Sequence, residues 1–282
     1  MPSRSFALGA LLVLLAGRAQ AQGSKPSPWT GGVRAATAQL TDSTSLGALS
    51  GVIEYRALGW LRFGAAPTLV RSTAGSTTTS GFGDLPLALE ASKQWGAPFR
   101  PELGASVIVT LPTGRAACGL GNGQASVGMN LGVGIAPAEA VHLSADASRS
   151  FAGAITLSSL DQPDATWFDL DGDWDVAPRW TLSLSVGGDV GGADTTTADR
   201  EMGGGLSYAV RGPLDLKVDV THRLAGQAPR WGLAVSLGTA STAISPLNSL
   251  SPLGRQRQTF VGGVSNRGRG GNKVGGASPS CP

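Results

Sequence analysis

Leu214-Asp-Leu-Lys-Val-Asp-Val-Thr221 decides the fold. Leu214, Leu216, Val218 and Val220 alternate with Asp215, Lys217, Asp219 and Thr221. Successive side chains of a β-strand point to opposite faces, so this is a strand between an apolar and a polar medium. The pattern recurs in Leu103, Ala105, Val107, Val109 and Leu111, and in Val127, Met129, Leu131, Val133 and Ile135. It recurs again in Trp180, Leu182, Leu184 and Val186, and in Trp231, Leu233, Val235 and Leu237. Extending the reading along the chain gives twelve segments, near 29–40, 46–57, 60–71, 82–94, 100–111, 123–135, 140–151, 166–176, 179–190, 200–210, 213–224 and 229–238. Most run about ten residues or longer, against about 5–6 for a soluble strand and about 9–11 for a tilted strand crossing a bilayer. An even count is also what single-chain bacterial barrels show. The predicted fold is all-β, an antiparallel transmembrane β-barrel of about 12 strands.

Composition agrees. The 282 residues include 42 Gly and 17 Pro, but only 2 His and 2 Cys, too few and too scattered for a zinc cluster. No run of 18 apolar residues lies outside the N-terminus, and no long helical periodicity appears. The chain divides into three parts. Residues 1–21 read as a secretory signal peptide, with a basic start, an apolar core from Phe6 to Gly17, and Ala19-Gln-Ala21 where a signal peptidase cuts. Residues 22–238 form the barrel. Residues 239–282 carry Arg255, Arg257, Arg267, Arg269 and Lys273, no acid, and a Gly- and Ser-rich composition that cannot bury a core, so they read as a disordered basic tail. The barrel region holds all 19 acids, so the sequence pI of about 9.2 reflects the ends of the chain. No folded basic surface exists, and nucleic acid is not an implied partner.

Connections alternate in length. Leu58-Gly59, Gly96-Ala-Pro98, Pro137-Ala138, Ala177-Pro178 and Arg211-Gly212 are short, and read as periplasmic turns. Ser72–Gly81, Pro112–Asn122, Ala152–Ala165 and Gly191–Asp199 are longer and polar, and read as external loops. Trp29, Trp60, Trp95, Phe99, Trp174 and Trp180 fall at the periplasmic ends; Phe82, Phe151, Trp167, Phe168 and Trp231 fall at the external ends; Phe63 lies between. Two aromatic belts are what the two membrane interfaces attract.

Ser80-Gly-Phe-Gly-Asp84, Leu111-Pro-Thr-Gly114 and Gly121-Asn-Gly123 together resemble motifs of the bacterial outer-membrane transporter family associated with the meta-pathway of phenol degradation. The resemblance covers about residues 29–238. It implies a barrel channel for small, often aromatic compounds, and no catalytic residues. Barrels of this kind commonly close on an aromatic residue read by the barrel assembly machinery. Here the predicted last strand ends near Leu237-Gly238, with 44 residues after it. Partners implied are outer-membrane lipids, that machinery and small solutes.

Parity assigns the interior. Asp169, Asp171, Asp173 and Asp175 share one face of their strand, opposite Phe168, Leu170, Trp174 and Val176. A column of carboxylates against lipid would be costly, so it belongs in a wet lumen. The same parity points Arg34, Glu54, Arg56, Arg62, Asp84, Glu90, Glu102, Asp146, Asp189, Glu201, Asp215, Lys217, Asp219 and Arg223 inward, thirteen acids against five bases in all. The candidate selectivity residues are the four-aspartate column with Glu54, Arg56, Arg62, Glu90, Asp215, Lys217 and Asp219. Such an interior either selects cations, as carboxylate rings do, or fills the barrel with salt bridges.

Other motifs are weaker. Asp169-Leu-Asp171-Gly-Asp173 places Gly at the fourth position of a calcium loop, where the sixth is needed. Gly119-Leu-Gly121-Asn-Gly123 opens a strand and lacks a βαβ context. His142-Leu-Ser144 resembles the His-x-Ser pair of the outer-membrane phospholipase, itself a twelve-stranded barrel, but points inward here without a third orienting group. His222 falls on the outward row. No cofactor and no metal are expected. Cys118 falls in an external loop and Cys281 in the tail, on opposite sides of the membrane, so both are expected as free thiols. The basic tail is expected to lie in the periplasm, or to enter the acidic lumen as a plug. Three functions stand: a channel for small solutes, a lipase-like enzyme using His142 and Ser144, and a non-conducting structural barrel.

Overall fold

The structure, a computed structural model, describes residues 27–96, 99–118, 120–121, 123–152, 165–189, 199–211, 214–226 and 229–239. The signal peptide, the tail from residue 240 and most of the connections at 152–165 and 191–199 lie outside the described residues. Among the described residues the strands are β1 (Trp29–Thr41), β2 (Thr44–Leu58), β3 (Leu61–Ala65), β4 (Thr68–Ala74), β5 (Thr77–Phe82), β6 (Leu85–Gln94), β7 (Glu102–Leu111), β8 (Ser126–Ala138), β9 (Val141–Ala152), β10 (Ala165–Ala177), β11 (Trp180–Asp189), β12 (Arg200–Arg211), β13 (Leu214–Ala225) and β14 (Trp231–Thr239).

These segments make a closed antiparallel barrel of 12 staves, because β3 with β4, and β5 with β6, each form one stave. Pro67 breaks the first pair. It has no N–H for the ladder, yet register passes through it unchanged: Ile53 pairs with Ala65 and Ser50 with Thr68. The second pair is broken by a β-bulge. Leu69 pairs with Phe82 and Ala65 with Leu87, so one stave uses an extra residue. Parity flips there: Gly81 and Gly83 face the bore before the bulge, and Asp84, Pro86, Ala88 and Glu90 after it. The barrel closes where β1 pairs with β14. At that seam Gly32 faces Gly238, and a Cβ on Gly32 would lie 2.7 Å from the Gly238 Cα, so glycine lets the two backbones meet.

The outer surface is an apolar band of exposed Leu, Val, Ile, Met and aromatic side chains, including Leu131, Val133, Leu170, Leu184 and Val220. Water-facing monomers rarely carry so continuous a patch; it fits the lipid-facing girdle of a membrane-spanning barrel. Among the described residues no helix is long and apolar enough to cross a membrane; the strands do the crossing.

Two of the connections differ from expectation in length, and the turn expected at Pro137-Ala138 falls after Ala138, where β8 ends. β4 and β5 continue to Ala74 and from Thr77, so the expected external loop 72–81 is a hairpin whose turn is Gly75-Ser76, with Gly75 at φ +60. The turn after β6 spans 95–101 and is longer than its expected three residues.

Candidate functional site in the barrel bore

The connection 112–125, expected outside the membrane, folds into the bore. It carries a 3-10 turn at Ala116–Cys118 and delivers Leu120 to the inner wall, where only 2% of it is exposed. Leu120 packs against Ala36, Ala38, Leu46, Val70 and Ala234, with Leu40 and Cys118 at the edge of the cluster. These are inward residues of β1, β2, β4 and β14. A polar lumen would have no use for them; they are small or apolar because they seat a leucine.

The three glycine motifs are the socket of this loop. A Cβ on Gly81 would lie 2.8 Å from Leu120 Cδ1, and one on Gly83 2.9 Å from Val70 Cγ2. A Cβ on Gly114 would lie 2.4 Å from the Leu120 carbonyl oxygen, and one on Gly121 2.3 Å from Asp84 Oδ1. Asp84, displaced onto the inner face by the bulge, accepts the Gly114 N–H at 3.0 Å. Thr113 Oγ1 donates to the Gly83 carbonyl at 2.9 Å, and Thr79 Oγ1 to the Cys118 carbonyl at 3.2 Å. Sequence stretches some thirty residues apart therefore meet for one purpose, to hold the loop inside the barrel. Sequence reasoning missed Leu120. The available signal was the pair of apolar faces on β2, where Leu46 and Ala48 face one way and Leu49 and Ile53 the other.

The inner wall has two halves. From β1 to β8, with β14, inward side chains are mostly buried, and several polar ones are paired. Arg62 Nη2 meets Glu90 Oε1 at 2.5 Å and Ser92 Oγ at 3.2 Å. Thr30 donates to Glu54 at 3.0 Å, and Ser50 and Thr68 share a hydrogen bond of 2.8 Å. From β9 to β13 the inward side chains are only half-buried. Asp169, Asp171, Asp173 and Asp175 form the expected column along β10. Their neighbours are small and polar: Thr181 donates to Asp175 and Ser183 to Asp173, each at 2.6 Å, and Asn130 donates to Asp146 at 3.1 Å. A Cβ on Gly187 would lie 2.1 Å from Asp169 Oδ1, and one on Gly205 2.5 Å from Asp219 Oδ1. Glycine there leaves room for the carboxylates to lean along the wall. Basic side chains join this wall at one edge, where Arg34 meets Asp219 at 3.4 Å and Lys217 meets Asp219 at 3.1 Å. Asp215 and Arg56 are also on inward positions, and Asp215 lines a cavity of about 290 Å³ with Asp175, Thr181 and Ser207 at the short-turn end.

Trp29, Trp60, Trp95, Trp174 and Trp180 are exposed at the short-turn end and Trp231 at the other. Trp29 packs on Tyr55 and Trp180 on Tyr208, with ring centroids 4.8 and 4.7 Å apart; neither tyrosine was among the expected belt residues. Trp167 is a correction. It shares the inward face with Asp169, and its Nε1 lies 2.9 Å from where a Gly187 Cβ would be. The stretch Asp169-Leu-Asp171-Gly-Asp173 is extended strand, paired residue by residue with β9. His142 and Ser144 share the inward face, but neither ring nitrogen of His142 has a hydrogen-bond partner, so Ser144 does not meet it. Cys118 is a second correction. It is disulfide-bonded, not free; the chain's other cysteine, Cys281, lies outside the described residues.

No family model and no curated protein matches the chain. Solved structures do. The COG4313 outer membrane channel from Pseudomonas putida F1 matches with TM-score 0.57 at 20% identity, covering 77% of this chain and 96% of that one. The NanC porin matches with TM-score 0.50 at 6% identity, covering 75% and 100%. The KdgM porin in complex with disordered oligogalacturonate matches with TM-score 0.50 at 11% identity, covering 75% and 99%. At these identities the likeness is one of fold, the barrel of outer-membrane channels and porins.

Proposed function

We propose that the chain is an outer-membrane channel passing small neutral or cationic solutes by diffusion along the wall from β9 to β13. One observation carries the reading. The inward loop fills the bore on one side only, and the side it leaves open is lined by Asp169, Asp171, Asp173 and Asp175. A half-filled bore is narrow, and a carboxylate column within it favours cations over anions. The oligogalacturonate held by the KdgM porin is a polyanion; the aspartate column here repels that charge, so anionic oligosaccharides are not the solute class. Small aromatic compounds fit the same narrow bore and the family resemblance of the glycine motifs. Catalysis is not part of the reading. His142 and Ser144 share the inward face of one strand, yet neither ring nitrogen of His142 has a hydrogen-bond partner, so the pair is not joined as base and nucleophile.

Swelling of liposomes containing the refolded mature chain, with Cys118 reduced, tests this. Small organic cations and neutral monosaccharides are expected to enter several-fold faster than sulfonates of equal size. Equal exclusion of all three would contradict the channel. Ester hydrolysis lost in Ser144→Ala would move the enzyme reading ahead of it.

A further inference from the structure

We propose that the bore is a docking site for the chain's own C-terminal segment, residues 240–282, locked by a disulfide between Cys281 and Cys118. The inference rests on the channel reading, since a self-plug matters only where there is a path to close. Cys118 is disulfide-bonded, and the sequence offers one other cysteine. Topology then restricts the route. Cys118 belongs to the inward loop, which enters from the end carrying the long connections, and it packs beside Leu40 and the Leu120 cluster. β14 ends at Thr239 at the opposite end, paired with Leu214 and hydrogen-bonded to Gly31. A route outside the barrel would drag irregular backbone and the cationic side chains of Arg255, Arg257, Arg267, Arg269 and Lys273 through hydrocarbon, where their polar groups find no partners. The bore is the aqueous route left.

Length and charge both allow it. An extended chain reaches about 3.3 Å per residue, so forty residues reach well over the roughly 30 Å of a bilayer's apolar core. The segment carries those five bases and no acid, and the open wall of the bore carries the four-aspartate column. The separation that argued for two free thiols becomes, with Cys118 bonded, the reason the segment must thread the barrel. Closure of the lock is ordinary thiol–disulfide exchange. Two thiols give two electrons and two protons to a donor disulfide, which leaves as two thiols, in a compartment where such bonds persist.

The full mature chain, refolded with oxidised glutathione, provides the test. Peptide mapping without reductant is expected to yield the Cys118–Cys281 pair within one chain. Unitary conductance in planar bilayers is expected to rise several-fold on adding a phosphine reductant. The Cys281→Ser chain is expected to conduct at the raised level without reductant. Two free thiols after oxidation, or a link between two chains, would overturn the proposal. So would an intrachain link whose reduction leaves conductance unchanged, and in that case the channel reading survives. Silence of both the reduced chain and Cys281→Ser would overturn the channel reading, and the plug with it.

Discussion

The wall from β1 to β8 and the wall from β9 to β13 follow one rule outside and two rules inside. Both show lipid the same row of Leu, Val and aromatic side chains. Inside, the first is a packed interior: Leu120 rests largely on alanines, and Arg62 and Glu90 are buried as a pair. The second is a wet surface, with carboxylates held by serines and threonines and partly exposed. A barrel too small for a wide pore and too large to fill with its own strands thus uses a loop to fill one side. The difference teaches that a charge facing the lumen has no fixed role. On the packed wall it is held in a buried pair, and on the open wall it stays partly exposed to the bore.

Substitutions can break that comparison. The largest expected effect is from Arg62→Ala, which takes the guanidinium away from Glu90, 2% exposed, on the packed wall; the cost is about 3–5 kcal/mol, read by urea unfolding in lipid vesicles. Leu120→Ala should follow. It removes the loop's anchor at about 2–5 kcal/mol, and because the strands pair without the loop, unitary conductance should rise while the barrel survives. If conductance stays unchanged, the loop is not the constriction. Lys217→Ala, on the open wall, should cost under about 1 kcal/mol in the same unfolding assay, because its partner Asp219 is also paired with Arg34. A loss as large as that of Arg62→Ala would erase the distinction between the walls. Smallest of all, Arg230→Ala removes an exposed bond to Asp42 at the barrel rim and should change stability by about 0.5 kcal/mol or less.

The outer face was the legible part. Alternation from Leu214 to Thr221 reappears as β13, and the aspartate column stands on the inward face of β10 as parity placed it. Register breaks were not legible. A bulge adds one residue, and the stretch 82–94 reads equally well as one uninterrupted strand, although its parity reverses at Gly83-Asp84. The loop was the larger loss. Composition makes 112–122 a polar turn region, since it holds one large apolar side chain, Leu120, in a run of Gly, Thr, Arg and Ala. Its destination is written elsewhere, in the alanines of β1 and β14 and in glycines that allow close approach. Such long-range complementarity has no period, so a reading based on period passes over it.

In the proposed channel, solutes move along the aspartate wall, past a loop that fills the other side. The most direct measurement is the reversal potential of single channels across a KCl gradient, with the chain reduced. Wild type is compared with the variant carrying Asp169→Asn, Asp171→Asn, Asp173→Asn and Asp175→Asn. Cation preference is expected in the wild type, with its collapse toward zero in the variant and channels of similar size. An unchanged reversal potential would place the path elsewhere in the bore and contradict the account.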